Sequence, residues 1–73
     1  MSRTWVSENK QQIFAGITEH YHNSHIRKVQ RLGQYIYNKF APPGSEPWPE
    51  LFYEEDRLTV VLMLLDECDS HTS

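Results

Sequence analysis

All four prolines of the chain fall in one stretch, Ala41-Pro42-Pro43-Gly44-Ser45-Glu46-Pro47-Trp48-Pro49. Proline lacks an amide hydrogen and fixes φ, so no helix or central strand runs through such a segment. The regular structure must be built from the residues before 41 and those after 49. Proline-rich backbone is extended and fairly stiff, so the segment reads as a loop that wraps the domain. Trp48, between two prolines, is held in a defined direction. It has two readings: a cover for the core under this loop, or an exposed anchor for a partner, a role tryptophan favours.

Before the break the apolar residues recur at helical spacing. Ile13, Phe14, Ile17 and Tyr21 share one face of a helix over residues 7–22. Ser7 is its expected N-cap and Glu8 suits the positive end of its dipole, with Trp5 and Val6 folding back as a hydrophobic staple. Asn23 and Ser24 mark a tight turn. A second helix is expected over residues 24–40, capped by Ser24, with Val29, Leu32, Ile36 and Phe40 on its buried face. Arg27, Arg31, Gln34 and Asn38 then share the opposite side, within about a 60° stripe. Gly33 in a helix interior costs roughly 1 kcal/mol against alanine. It is either tolerated there or kept for close approach by another helix.

After the break, Glu54, Glu55 and Asp56 fit the first turn or the cap of a third helix over residues 54–67. Leu58, Val61, Leu62, Leu65 and Cys68 make one stripe, and Val60, Met63 and Leu64 widen it almost to the full circumference. A helix this apolar is central or covered by another chain. A buried strand competes, because Thr59-Val60-Val61 is β-branched, but length and the acidic start favour helix. The tail at 69–73 is polar and expected to fray. The prediction is therefore all-α: a compact single domain of three helices, the first two antiparallel, with the loop 41–53 between helices two and three.

Size and charge bound the function. At 73 residues the chain is one small domain, which buries only roughly 60% of its unfolded surface. Its longest apolar run, Val60–Leu65, is far short of the roughly 20 residues of a membrane span, and no targeting segment is visible. The single cysteine, Cys68, builds no disulfide framework and reads as a small apolar residue in a reducing, cytoplasmic setting. Residues 1–40 hold six basic and two acidic residues, while residues 41–73 hold one basic and eight acidic, giving +4 and −7. The halves should attract one another, and Glu54-Glu55-Asp56 can pair with Arg27 or Arg31. The surplus apolar surface of helix three makes a homodimer through it one expected assembly.

The stretch Arg31-Leu32-Gly33-Gln34-Tyr35-Ile36-Tyr37-Asn38-Lys39-Phe40, joined through the loop to Pro47-Trp48-Pro49-Glu50-Leu51-Phe52-Tyr53-Glu54-Glu55-Asp56, resembles a pattern in short phage and prophage proteins. These carry an Arg-x-Gly-Gln-x-x-x-Asn helix, a Pro-x-Leu-Phe-Tyr segment with acids, and a final apolar helix. The likeness covers about residues 25–67. It implies a source in a mobile genetic element or its bacterial host more than an activity. Within the motif, Gln34 and Asn38 are one turn apart and can bond the carbonyls of the proline loop.

No constellation points to catalysis. Nucleophile motifs, glycine-rich phosphate loops and paired carboxylates with a shared site are missing, and no cofactor is implied. His20, His22 and His25 are close in sequence, but His20 and His22 project about 160° apart on a helix, which suits a zinc pair poorly. The bland reading places them at a helix C-terminus, where imidazolium is favoured. Two functions remain. The first is a protein-binding module, an inhibitor or regulator of a host system, using Arg27, Arg31, Gln34, Asn38 and Trp48. The alternative is a nucleic-acid-binding regulator, with Arg27, Lys28, Arg31 and Lys39 on phosphates and Gln34 or Asn38 on base edges. The net charge of −3 weighs against that alternative.

Overall fold

The computed structural model describes residues 3–72, with side chains through Asp69. In chain order it holds α1 (Thr4–Glu8), α2 (Lys10–His22), α3 (Ser24–Val29), α4 (Leu32–Phe40), α5 (Pro49–Phe52) and α6 (Arg57–Thr72). No strand occurs among the described residues. The all-α expectation holds, and of the two readings of residues 54–67 the helix is the one adopted from Arg57 on, with Glu54, Glu55 and Asp56 ahead of it and not in its first turn. The count of three does not hold. Both helices expected before residue 41 are split, the proline segment ends in a helical turn, and α6 runs through the expected frayed tail to Thr72.

The first split is at Asn9. Its side-chain Nδ2 donates to the Trp5 carbonyl at 2.8 Å, and its own amide donates to the same carbonyl at 3.1 Å. An Asx side chain that bonds nearby backbone competes with the regular helical ladder. Ser7 is therefore inside α1 and not a cap; its hydroxyl donates to the Thr4 carbonyl at 3.2 Å. Glu8 closes α1 instead of opening a helix, and Trp5 and Val6 are core residues rather than a staple.

The second split is at Gln30 and Arg31, both with extended backbone. The Gln30 carbonyl leaves the helical ladder and meets His20 Nε2 at 2.9 Å. The start of α4 is anchored elsewhere: the Gly33 amide donates to the Glu54 carbonyl at 3.0 Å. Leu32 and Ile36 keep their expected buried places, whereas Val29, before the split, is 62% exposed. Gly33 does serve close approach by another helical segment, since a Cβ there would fall 1.6 Å from the carbonyl oxygen of Leu51 in α5. Asn23, not Ser24, caps α3, its Oδ1 accepting from the amides of His25 and Ile26. The expected antiparallel pairing survives between α2 and α4. Gly16 packs at Phe40 and Ile36, Glu19 bonds Lys39, and His20 reaches Gln30.

The proline loop is fastened by Tyr37 rather than by Gln34 or Asn38: its hydroxyl donates to the Glu46 carbonyl at 3.0 Å. Gly44, at φ 81°, turns the loop back so that the Ser45 amide meets the Pro42 carbonyl at 3.1 Å. Pro49 then opens α5, where a missing amide hydrogen costs nothing. Asp56 caps α6, its carboxylate accepting from the Thr59 amide at 2.9 Å and the Thr59 hydroxyl at 2.8 Å.

Helix α6 packs chiefly on α1, and also on α4. The expected single stripe divides here. Val60, Leu64 and Cys68, at i, i+4 and i+8, are buried, while Leu58 and Leu62 are 66% and 58% exposed. Ion pairs join the basic and acidic halves as their charges require. Arg3 meets Glu67 at 3.2 Å and Glu46 at 3.4 Å, and Arg31 meets Glu55 at 3.6 Å.

Candidate functional site

The break between α3 and α4 builds the site. Arg27 and Lys28 occupy the last turn of α3, where the helix dipole favours cations. Two extended residues then swing the chain so that Arg31 and Gln34 return beside them. Arg27, Lys28, Arg31 and Gln34, with Val29, Gln30 and Glu55, line a hollow of about 210 Å3. Glu55 partly balances Arg31 at an exposed position, where such a pair is worth under about 1 kcal/mol. The hollow presents three cations and two side-chain amides against one carboxylate. Its lining contains no hydroxyl and no imidazole. What it offers chemically is charge and hydrogen bonds for an anionic group.

Tyr21 adds an aromatic edge to this basic surface. Its half-exposed ring lies beneath two guanidinium groups, Arg57 at 4.3 Å and Arg27 at 6.0 Å. Arg57 has no sequence signal as part of the site, because it sits in the acidic half; the placement of the α6 start beside α2 brings it there.

The sequence candidates are thus partly gathered. Arg27, Arg31 and Gln34 share the hollow. Asn38 is exposed one turn further along α4 and does not line it. Trp48 is elsewhere and buried, so its reading as an exposed anchor is corrected. Only 7% of it is accessible, its ring packs edge-on to Trp5 at 6.3 Å, and the Arg3 guanidinium lies 4.1 Å above it. It covers the core, and with Tyr37, Pro47, Pro49, Phe52 and Tyr53 it forms a second hollow of about 260 Å3.

The other candidate chemistry disperses. His20 is buried against Gln30 and Tyr35, His22 stacks edge-on to Tyr21, and His25 is exposed. Among the described residues no group of three or more histidine, cysteine or carboxylate side chains is placed to hold a metal ion. Between α2 and α4, Glu19 accepts hydrogen bonds from Tyr35 and Lys39. The Tyr35 bond, then Lys39, holds the Glu19 carboxyl below its ordinary pKa; the Tyr35 bond, then Glu19, raises that of Lys39.

No helix among the described residues is long and apolar enough to cross a membrane. No protein-family model matches the chain, and no curated protein or solved structure matches it significantly.

Proposed function

We propose that this chain is a small protein-binding module of phage origin that works in the bacterial cytoplasm as an inhibitor or regulator of a host system. The observation that carries the reading is the hollow where Arg27, Lys28, Arg31 and Gln34 converge. It is polar, and its two arginines have the forked geometry that recognises carboxylates bidentately, with Lys28 adding a point charge. A host protein presenting acidic side chains is the partner it fits. The phage-like pattern over residues 25–67 supplies the origin, and the lining chemistry favours binding over catalysis.

Nucleic acid is the second reading, favoured by the same arginines and by Tyr21, whose ring offers a surface for base stacking. The acidic residues beside the hollow, beginning with Glu55 at 3.6 Å from Arg31, oppose a polyanion more than they oppose a single carboxylate. Fluorescence anisotropy with labelled single-stranded and duplex DNA and RNA, repeated as salt is raised, separates the two. The protein-binding reading predicts no saturable nucleic-acid binding at physiological ionic strength. Saturable binding that weakens steeply with salt and is lost in Arg27→Ala transfers the site to nucleic acid.

A further inference from the structure

The surface around the basic hollow carries positive charge that the fold does not neutralise. Among the described residues no carboxylate is within ion-pairing distance of Arg27, Lys28 or Arg57. The acids just ahead of α6 are each engaged. Glu55 meets Arg31, Glu54 accepts from the Asp56 amide, and Asp56 gives its carboxylate to the Thr59 amide and hydroxyl. The two Thr59 bonds, and more weakly Arg57, hold the Asp56 carboxyl below its ordinary pKa. What is left over is cationic, and it comes from two elements, the last turn of α3 and the first residue of α6.

Tyr21 arranges that charge. The Arg57 guanidinium lies over its ring, 4.3 Å from the centroid, and the Arg27 guanidinium lies 6.0 Å from it, while His22 meets the ring edge-on at 5.1 Å. A guanidinium laid on an aromatic ring keeps its N–H fork free at the rim, and stacking restrains the long side chain before any partner arrives. Arg27 also lines the hollow, so ring and hollow are continuous through that one side chain. Resting on the protein-binding reading of the hollow, we infer that Arg57, stacked on Tyr21, is a second carboxylate subsite of the same surface. The partner segment is then an acidic one whose carboxylates engage both the hollow and Arg57. Tyr21 acts through Arg57 as a positioning residue.

The test uses the full chain and a labelled oligoglutamate peptide long enough to reach both subsites, with oligoglutamine of equal length as the uncharged control. Binding is read by fluorescence anisotropy at physiological ionic strength. Arg57→Lys keeps the charge and removes the stacked fork, Tyr21→Phe keeps the ring, Tyr21→Ala removes it, and Lys28→Gln probes the hollow. All three positions are exposed, so the variants keep their fold, which circular dichroism checks. The expected result is saturable binding of oligoglutamate alone, weakened about fivefold or more by Arg57→Lys and by Tyr21→Ala and unchanged by Tyr21→Phe. Arg57→Lys binding as tightly as the natural chain overturns the second subsite, and a weakened Lys28→Gln then leaves the hollow standing. Equal loss in Tyr21→Phe and Tyr21→Ala assigns the effect to the hydroxyl and overturns the stacking. No saturable binding by the natural chain overturns both readings. An oligonucleotide that displaces the labelled peptide at lower concentration than unlabelled oligoglutamate does assigns the surface to nucleic acid and overturns the acidic segment.

Discussion

The amide of Gly33 donates to the carbonyl of Glu54 across 3.0 Å, so the first turn of α4 is held by the loop that leads into α6. The contact joins residues 21 positions apart and fixes how the two halves of the molecule meet. The chain bends at Gln30 and Arg31 just before this contact, and the basic hollow lies at the bend.

Gly33→Ala should therefore be severe. A Cβ placed 1.6 Å from the Leu51 carbonyl must push α5 away and break the Glu54 bond, at a cost of about 3 kcal/mol. Gly16→Ala should be much milder, because its Cβ would meet only the edge of the Phe40 ring at 3.2 Å. Urea unfolding of the two variants side by side checks this, and a Gly33→Ala midpoint equal to that of Gly16→Ala contradicts the close approach.

Trp48 should behave as core. Truncation to alanine removes the partner of Trp5 and the surface under Arg3, and is expected to destabilise by about 3–5 kcal/mol. Thermal melts give the readout. An unchanged melting temperature, with partner binding lost, would restore the exposed-anchor reading.

Glu19 gives a pH signature. Its folded pKa lies below the ordinary value of 4.5 because Tyr35 and Lys39 bond the carboxylate. The folded state then binds fewer protons than the unfolded one in this range, so the contribution is present above the ordinary pKa and is lost as pH falls through the lowered one. Glu19→Gln should remove that part of the acid-limb slope while leaving the slope near neutrality as it was. Urea midpoints measured as a function of pH test it, with no change in the acid limb as the contrary result.

Asp56 should be replaceable by asparagine but not by alanine. Either an aspartate or an asparagine side-chain oxygen accepts from the Thr59 amide, whereas alanine leaves the start of α6 uncapped. Asp56→Ala is expected to lower Tm by several degrees and Asp56→Asn by much less. Equal melting of the two variants would show that the cap is not what holds the helix end.

The fold class was legible because three kinds of local signal agree: helical periodicity in Ile13 to Tyr21 and Leu32 to Phe40, the proline break, and the acidic entry to α6. The splits at Asn9 and Gln30 were not legible. At Asn9 a side-chain bond to the Trp5 carbonyl is added to the local backbone bonds, and at Gln30 helical bonds give way to distant partners, His20 for Gln30 and Glu54 for Gly33, none of which periodicity registers. The same limit applied to the site. Arg27, Arg31 and Gln34 fall together both on one ideal helix and on the broken one, so the candidate set partly survived, whereas Arg57 is brought to the Tyr21 ring beside it only through tertiary packing. Trp48 shows that a rigid direction can be read from Pro47 and Pro49 while its sense, inward, cannot.

The central claim, a protein partner held at the basic hollow, is tested most directly by capture from nuclease-treated host lysate, comparing the natural chain with an Arg27→Glu, Arg31→Glu variant under quantitative mass spectrometry. Both arginines are exposed, so the variant should stay folded. The account predicts one host protein recovered by the natural chain and reduced about tenfold or more by the charge reversals. Equal recovery by both proteins, or recovery that vanishes once nucleic acid is digested, would contradict it.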